Sequence, residues 1–481
     1  MWTVLPDHFM PKRQTTSYAG WYVPPMLELH LDLPAGPGRR AAIETALRDA
    51  IRTGRLAAGT RLPSSRVLAS DIGVSRSTIV GAYEQLAAEG FIASRHGQGT
   101  IVADVPTGTA GVDDEDLMGP TPTWDFRPGE PDPTSFPRRE WMQSLRRIVG
   151  DPSGDAMSYP DPRGRIELRH SLAGHLARTR SVVTDAGSVF VYGGFAAGLG
   201  FLADAFRQAG ITRIGVEEAM LPMHRMVLRI AGLEVESVRV DDEGIVVDEL
   251  AATGVRAVLV TPGNHYPYGV TMSPDRRAQL VSWADLAEAW IVEDDYDGEF
   301  RYDRRPIGAL QALAPHRVVY AGTASKSLGA GLRLGWLAVP EELRHPLTAA
   351  ANLRAGVSAI DQLALADFIE RGRLDRHIRT MRRHYDARRQ ALIERLAADV
   401  PSLTPNPCVA GLHLCVHVEA PQVERDILAR AEAADVGLLG LVSFHRAPAE
   451  RAGLTIGFSR PPQHAFAAGL DRLVEVLAAS S

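Results

Sequence analysis

Lysine is nearly absent from this chain of 481 residues. It occurs twice, at Lys12 and Lys326, against 50 arginines. A composition that uses arginine almost wherever a cation will serve makes each lysine informative. A lysine amine can lose its proton and attack a carbonyl to form a Schiff base, whereas a guanidinium stays charged and cannot. Lys12, near the N-terminus, reads as chance survival. Cysteine is equally scarce, with Cys408 and Cys415 the whole complement. Two thiols without ligand companions build neither a disulfide framework nor a metal site, and they fit a reducing cytosol. Long apolar runs are missing as well: none reaches the roughly 18 residues that a spanning helix needs. Met1–Gly20 lacks the basic-then-apolar pattern of a secretory leader. The expectation is a cytoplasmic protein with no membrane association and no metal. An excess of positive charge is also missing. The net charge of −6 excludes a polybasic coat over the whole chain.

What is present centres on Lys326. Val318-Val319-Tyr320 reads as a short buried strand, and Gly322 to Lys326 as the polar turn after it. Thr323 and Ser325 offer hydroxyls there, and Arg333 follows with a guanidinium. Hydroxyls and a planar guanidinium fork suit a phosphate. An amine for an aldehyde and a cradle for a phosphate together describe pyridoxal 5′-phosphate, which also needs a carboxylate at its pyridine nitrogen. Upstream, the apolar strand pattern Ala289–Val292 runs into Glu293-Asp294-Asp295-Tyr296-Asp297. Asp294 at a strand end can hold the pyridine nitrogen protonated, and the Tyr296 hydroxyl can bond the phenolic oxygen. This order of strand-Asp-x-Tyr, strand-Ser-Lys and Gly-x-Arg-x-Gly resembles the fold-type I aminotransferases. The resemblance implies a cofactor held as an aldimine on Lys326, which would also carry any catalysis.

Length and charge distribution point to more than one domain. A chain of this size is too long for one ordinary domain. Residues 38–103 hold nine arginines and five acids, a local balance of +4 on an acidic chain. Within them, Ile43, Leu47 and Ile51 have helical spacing. Ser64 or Ser65 can cap a short helix through Asp71, Gly73 makes a turn, and Ser75 can cap a second helix carrying Ile79, Tyr83 and Leu86 inward. Two short helices around a glycine turn form a helix-turn-helix, whose second helix enters the major groove. Phe91 to Val102 then reads as a hairpin wing with its tip at Arg95–Gly99. Gly59-Thr60-Arg61-Leu62-Pro63-Ser64-Ser65-Arg66 and Gly73-Val74-Ser75-Arg76-Ser77-Thr78 resemble the winged helix of the GntR regulators. That likeness implies DNA contacts from Arg66, Arg76, Ser77 and Thr78, with His96 and Gly97 at the wing. A winged helix followed by a fold-type I aminotransferase-like domain is similar to the MocR subfamily.

The expected organisation is therefore a winged helix-turn-helix at 37–103, a Gly/Pro/Thr/Asp-rich linker at 104–123, and an α/β pyridoxal-phosphate domain at 124–481. Alternating strands and helices from Val189 onward predict a mainly parallel sheet covered on both faces. Gly193-Gly194-Phe195-Ala196 at a strand-to-helix turn can face backbone N–H groups toward a phosphate. By resemblance, Tyr159 reaches the cofactor phosphate of a second subunit, which implies a homodimer. Asn264, in a loop that only loosely follows the family pattern, is placed near the ring oxygen.

Two departures bear on function. Leu221 stands where the subfamily has an aromatic that stacks on the pyridine ring, and Thr455 where aminotransferases keep the arginine for a substrate carboxylate. Arg446 and Arg460 are nearby substitutes at best. Without a bidentate anchor an amino acid loses affinity and orientation. The reading preferred over an aminotransferase with an accessory DNA module, or a scaffold with an empty site, is a dimeric regulator that binds operator DNA. It would sense pyridoxal 5′-phosphate, an amine effector or both, with control of vitamin B6 or amino-compound metabolism as its field and residual transamination allowed for.

Overall fold

In the computed structural model the chain forms two units, Met1–Gly119 and Pro120–Ser481. The structure describes residues 38–95, 99–105, 121–303, 307–352, 356–406, 409–445 and 451–479. In the first unit, helix α1 (Arg39–Arg52) buries Ile43, Leu47 and Ile51 completely, as their one-face spacing requires. Ser64 accepts the Val67 N–H at 3.3 Å and starts α2 (Ser65–Asp71). Ser75 accepts the Thr78 N–H at 3.2 Å and starts α3 (Arg76–Ala88). Such caps contribute about 1 kcal/mol each. Helix α3 turns Ile79, Tyr83 and Leu86 into a core shared with Leu68, and the Tyr83 hydroxyl donates to the Pro63 carbonyl at 2.9 Å. Strands β1 (Ile92–Arg95) and β2 (Gly99–Val102) pair antiparallel, Ile92 opposite Val102, as the wing. His96 and Gly97, at its tip, lie outside the described residues.

The second unit is built on seven strands: β3 (Val189–Tyr192), β4 (Arg213–Glu217), β5 (Glu234–Val238), β6 (Ala257–Val260), β7 (Trp290–Asp294), β8 (Val318–Thr323) and β9 (Gly335–Ala338). They lie in the order β3-β9-β8-β7-β6-β4-β5. Every neighbouring pair is parallel except those of β9, which runs opposite to both β8 and β3. Strands such as Val189-Phe190-Val191-Tyr192 are buried at every position, as expected of a sheet packed on both faces. Helices α4 (Phe195–Gln208), α5 (Pro222–Ile230) and α6 (Pro274–Leu286) connect the strands.

A smaller antiparallel sheet, β10 (His413–Val418), β12 (Ala452–Gly457) and β11 (Leu439–Gly440) in that order, forms a separate core with the C-terminal helices. The large unit begins before Trp124. The Thr123 hydroxyl bonds Asp435, and a Cβ on Gly437 would meet Pro122 at 2.7 Å, so this end of the expected linker is packed chain. No helix among the described residues is long and apolar enough to cross a membrane.

Candidate functional site

The carboxyl ends of β4, β6, β7 and β8 open onto a cavity of about 390 Å³. Ligands of open α/β sheets sit at such strand ends. Lys326, Asp294, Tyr296, Arg333, Thr323, Ser325, Gly194 and Phe195 all line it. Lys326 and Arg333 arrive on the loop joining β8 to β9, and Asp294 is the last residue of β7. Side chains alternate along a strand, so Asp294 faces away from its two neighbours. Those neighbours are fastened. Glu293 accepts the Leu310 and Gln311 N–H groups at 2.7 and 2.9 Å. Asp295 takes a fork from Arg180 at 2.6 and 2.9 Å and the Tyr320 hydroxyl at 2.9 Å.

Lys326, Asp294 and Arg333, which line this cavity, have no salt-bridge partner among the described residues. The Lys326 amine donates to the Gly129 carbonyl. Gly129 has φ +109°, a conformation that favours glycine, and this brings its backbone against the amine. Gly194, at φ +92°, likewise leaves room for Arg333: a Cβ there would lie 3.1 Å from the guanidinium carbon. Gly194 precedes α4, whose first N–H groups, on Phe195 and Ala196, have no partner within the helix.

Burial dominates the electrostatics. It pushes Asp294 up to about 8, with the Lys326 charge opposing. It pushes Glu217 to about 8 against hydrogen bonds from the Thr261 N–H and hydroxyl, and Asp297 to about 7 against a bond from Asn264. Burial lowers the Lys326 amine, and Asp294, Asp297 and Glu130 pull it back up. His224 and His413 are each held down at about 4 by burial, so both imidazoles are neutral near pH 7. Catalytic and ligand-binding sites are where such displaced groups gather.

Not every expected residue offers a free group to the cavity. Asn264 lies behind Tyr296: its side-chain amide donates to the Tyr296 hydroxyl at 3.1 Å and to Asp297 at 2.9 Å, and its backbone carbonyl accepts from that hydroxyl at 3.0 Å. The Thr323 hydroxyl is spent on the Leu334 carbonyl at 3.2 Å and the Ser325 N–H at 3.1 Å. Tyr159 is fully exposed and absent from the cavity of its own chain.

The cavity also holds residues that sequence reasoning passed over: Glu130, Glu217, His224, Tyr266 and His413. Glu217 ends a strand pattern and could have been found by that rule; His413 carries no local signal. His224 qualifies the reading of Leu221. Both line the cavity, and the His224 ring stands edge-on to Phe195 with centroids 4.8 Å apart. An aromatic is thus supplied one helical turn after the position where it was sought.

Among the described residues, the carboxylate anchor is not supplied. Thr455 is fully buried on β12, its hydroxyl donating to the Leu439 carbonyl at 3.2 Å. Arg460 is held by Asp125 at 2.9 Å and does not line the cavity. Arg446 lies outside the described residues.

In the first unit, the arginines divide by partner. Arg40 pairs with Glu44 at 2.7 Å and Arg48 with Glu89 at 2.8 Å. Arg61, Arg66 and Arg76 have no carboxylate partner among the described residues, and all three are exposed. Arg76 and Ser77 open α3, and Arg66 lies on α2. Ser77 and Thr78 share their hydroxyls with the Ser75 cap at 2.8 and 2.7 Å. An exposed first turn with unpaired cations is what a groove-reading helix presents.

Comparison with known proteins agrees with both units. The family "Bacterial regulatory proteins, gntR family" matches residues 39–102, and "Aminotransferase class I and II" matches residues 129–433. The chain is 33% identical to the HTH-type pyridoxine biosynthesis transcriptional regulator PdxR of Corynebacterium glutamicum, over 81% of this chain and 87% of that protein. It is 31% identical to the probable rhizopine catabolism regulatory protein MocR of Rhizobium meliloti, over 92% and 95%. An archaeal alanine:glyoxylate aminotransferase shares the fold at TM-score 0.69 and 23% identity, covering 75% of this chain and 92% of its own. With a GntR helix-turn-helix, a fold-type I aminotransferase domain and these relatives, the chain belongs to the MocR subfamily of GntR-type transcriptional regulators.

Proposed function

We propose that this regulator binds pyridoxal 5′-phosphate in the cavity at Lys326 and that occupancy of the cavity sets its affinity for operator DNA. The observation that carries this is the convergence of an amine, a carboxyl group and a guanidinium on one cavity, none of them in a salt bridge among the described residues. Their chemistry fits the cofactor. Arg333, the Ser325 hydroxyl and the first N–H groups of α4 would hold its phosphate, Asp294 its ring nitrogen, and Tyr296 its phenolic oxygen. Bound there, pyridoxal phosphate supplies an aldehyde carbon that condenses with amines. Lys326 presents its amine on the loop after β8, and Gly129 holds it through the backbone carbonyl. Burial eases loss of its proton. The buried Asp294 keeps a proton shared with whatever base faces it, and Leu221, Met220 and His224 wall off water.

Arg66, Arg76, Ser77 and Thr78, with His96 and Gly97 at the wing, are proposed to contact duplex DNA. A homodimer is part of the proposal. Tyr159, fully exposed beside the exposed Met157, would then serve the site of the second copy. A cytoplasmic setting fits both ligands. Control of vitamin B6 synthesis is supported by the name of the Corynebacterium relative, and control of amino-compound use by that of the Rhizobium relative. The alternative, an aminotransferase with an accessory DNA module, draws on the retained Lys326 and Asp294. Thr455 weighs against it, since nothing at its position grips a carboxylate.

The test is binding of the purified chain to its own upstream DNA at fixed salt, with and without pyridoxal phosphate. A change of at least several-fold in affinity is expected, because linkage demands that a ligand favouring one arrangement alter the other equilibrium. Specific DNA binding that ignores both the cofactor and amines would refute the coupling.

A further inference from the structure

We propose that the amine admitted beside Lys326 carries a second positive group and no carboxylate, and that Glu130 anchors that second group. The inference rests on the cofactor reading above and names the ligand class of the same site. With Arg333, Asp294 and Lys326 assigned to the cofactor, the ionisable lining that remains is Glu130, Glu217 and two imidazoles held neutral. None of it is cationic near pH 7.

The nearby guanidinium groups are committed elsewhere. Asp125 takes Arg127 at 2.9 and 2.7 Å and Arg460 at 2.9 Å, and neither arginine lines the cavity. Arg460 also pairs with Glu130, at the longer distance of 3.6 Å. Glu130, in contrast, is presented to the amine from a fixed backbone. The Ser459 hydroxyl donates to its carbonyl at 2.7 Å, and the preceding Gly129 carbonyl receives the Lys326 amine. Two further polar groups line the same space. Glu217, 4% exposed, spends only Oε2 on Thr261, and its Oε1 takes no hydrogen bond among the described residues. The Tyr266 hydroxyl also lines the cavity without a hydrogen-bond partner among them. A ligand carboxylate would meet Glu130 as a like charge, with Arg460 paired to Glu130 at 3.6 Å from outside the cavity, whereas an ammonium gains a charge-assisted hydrogen bond from inside it.

The experiment uses the full chain loaded with pyridoxal phosphate and reads the cofactor absorbance and melting temperature. The probes are butane-1,4-diamine, butylamine and 4-aminobutyrate, each titrated against the native protein and Glu130→Gln. The diamine is expected to bind at least about tenfold tighter than butylamine, a difference of about 1.4 kcal/mol. The aminobutyrate is expected to bind more weakly than butylamine, and Glu130→Gln to remove most of the diamine advantage. Aminobutyrate binding as tightly as the diamine, or an unchanged ratio in Glu130→Gln, overturns the proposal while leaving the cofactor reading intact. Failure of pyridoxal phosphate itself to shift absorbance or melting in the native protein overturns both. Each variant's own cofactor titration reports whether it is folded.

Discussion

Arg180 Nε donates to Asp295 Oδ2 at 2.6 Å across 115 residues of chain, and neither side chain touches the cavity. The pair is a strut beneath Asp294. Arg180 Nη1 donates to both the Gly298 and Ile307 carbonyls, at 3.1 and 2.9 Å, so one guanidinium holds both of these points after β7. Breaking a buried pair from one side leaves the other charge uncompensated. Arg180→Met should lose about 3–5 kcal/mol of stability, read as a lower urea midpoint, and the double change with Asp295→Leu should recover part of it. An unchanged midpoint in the single variant would remove the strut from the account.

Lys326→Ala should end covalent retention of the cofactor. Borohydride reduction of the loaded native protein is expected to fix the cofactor mass on the peptide containing Lys326, and on none in the variant. Asp294→Ala should keep the linkage but weaken binding about ten- to a hundredfold, the scale of one hydrogen bond to a charged group. Cofactor mass on another peptide would reassign the site.

His224 is expected to act through its ring rather than through a charge, because burial keeps it neutral near pH 7. Aromatic contacts are worth about 0.5–1.5 kcal/mol beyond area. His224→Ala should therefore lower cofactor affinity about threefold to tenfold, and His224→Phe should restore it. Equal loss in both variants, measured by fluorescence titration, would point to a polar role instead.

The empty protein should lose stability as pH rises from about 4 toward 8. Asp294 and Glu217 hold their protons up to about 8 in the fold, but ionise near 4 when unfolded. The folded state therefore binds more protons across that window, and raising pH favours unfolding. Lys326, with its lowered value, acts in the opposite sense at higher pH. Asp294→Asn should flatten the decline in melting temperature between pH 6 and 8, and a profile identical to the native one would contradict the assignment.

DNA affinity should divide the arginines of the first unit by partner. Arg66→Ala and Arg76→Ala should each weaken operator binding, and any that contacts phosphate should reduce the salt slope by about 1. Arg48→Ala should leave binding unchanged, since Arg48 is paired with Glu89. Weakening in Arg48→Ala alone would place the DNA on another face.

Local signals account for what could be read in advance. Caps at Ser64 and Ser75, apolar spacing at Ile43, Leu47 and Ile51, and strand ends at Asp294 and Tyr192 are short-range patterns, and the fold follows them. The lone Lys326 could be read because composition isolated it. What was missed depends on distant chain. Glu130 and His413 reach the cavity from a segment before the sheet and from the small sheet after it, and Asn264 turns to Asp297 through packing that no local pattern announces. A family position such as Leu221 names one residue, while a helix offers its next turn on the same face, where His224 stands.

The reversed strand β9 has a genetic consequence. Because it returns antiparallel beside β8, a single loop delivers both Lys326 and Arg333, and both stand on the core that includes Leu328, Leu334 and Trp336. Thr455 belongs to the small sheet, whose Leu454 and Ile456 sit in a different core. In the proposed reading, grip on the cofactor and grip on a substrate carboxylate therefore rest on separate cores and can change independently. A lineage can erase the second by changing one buried residue on β12 and leave the first untouched.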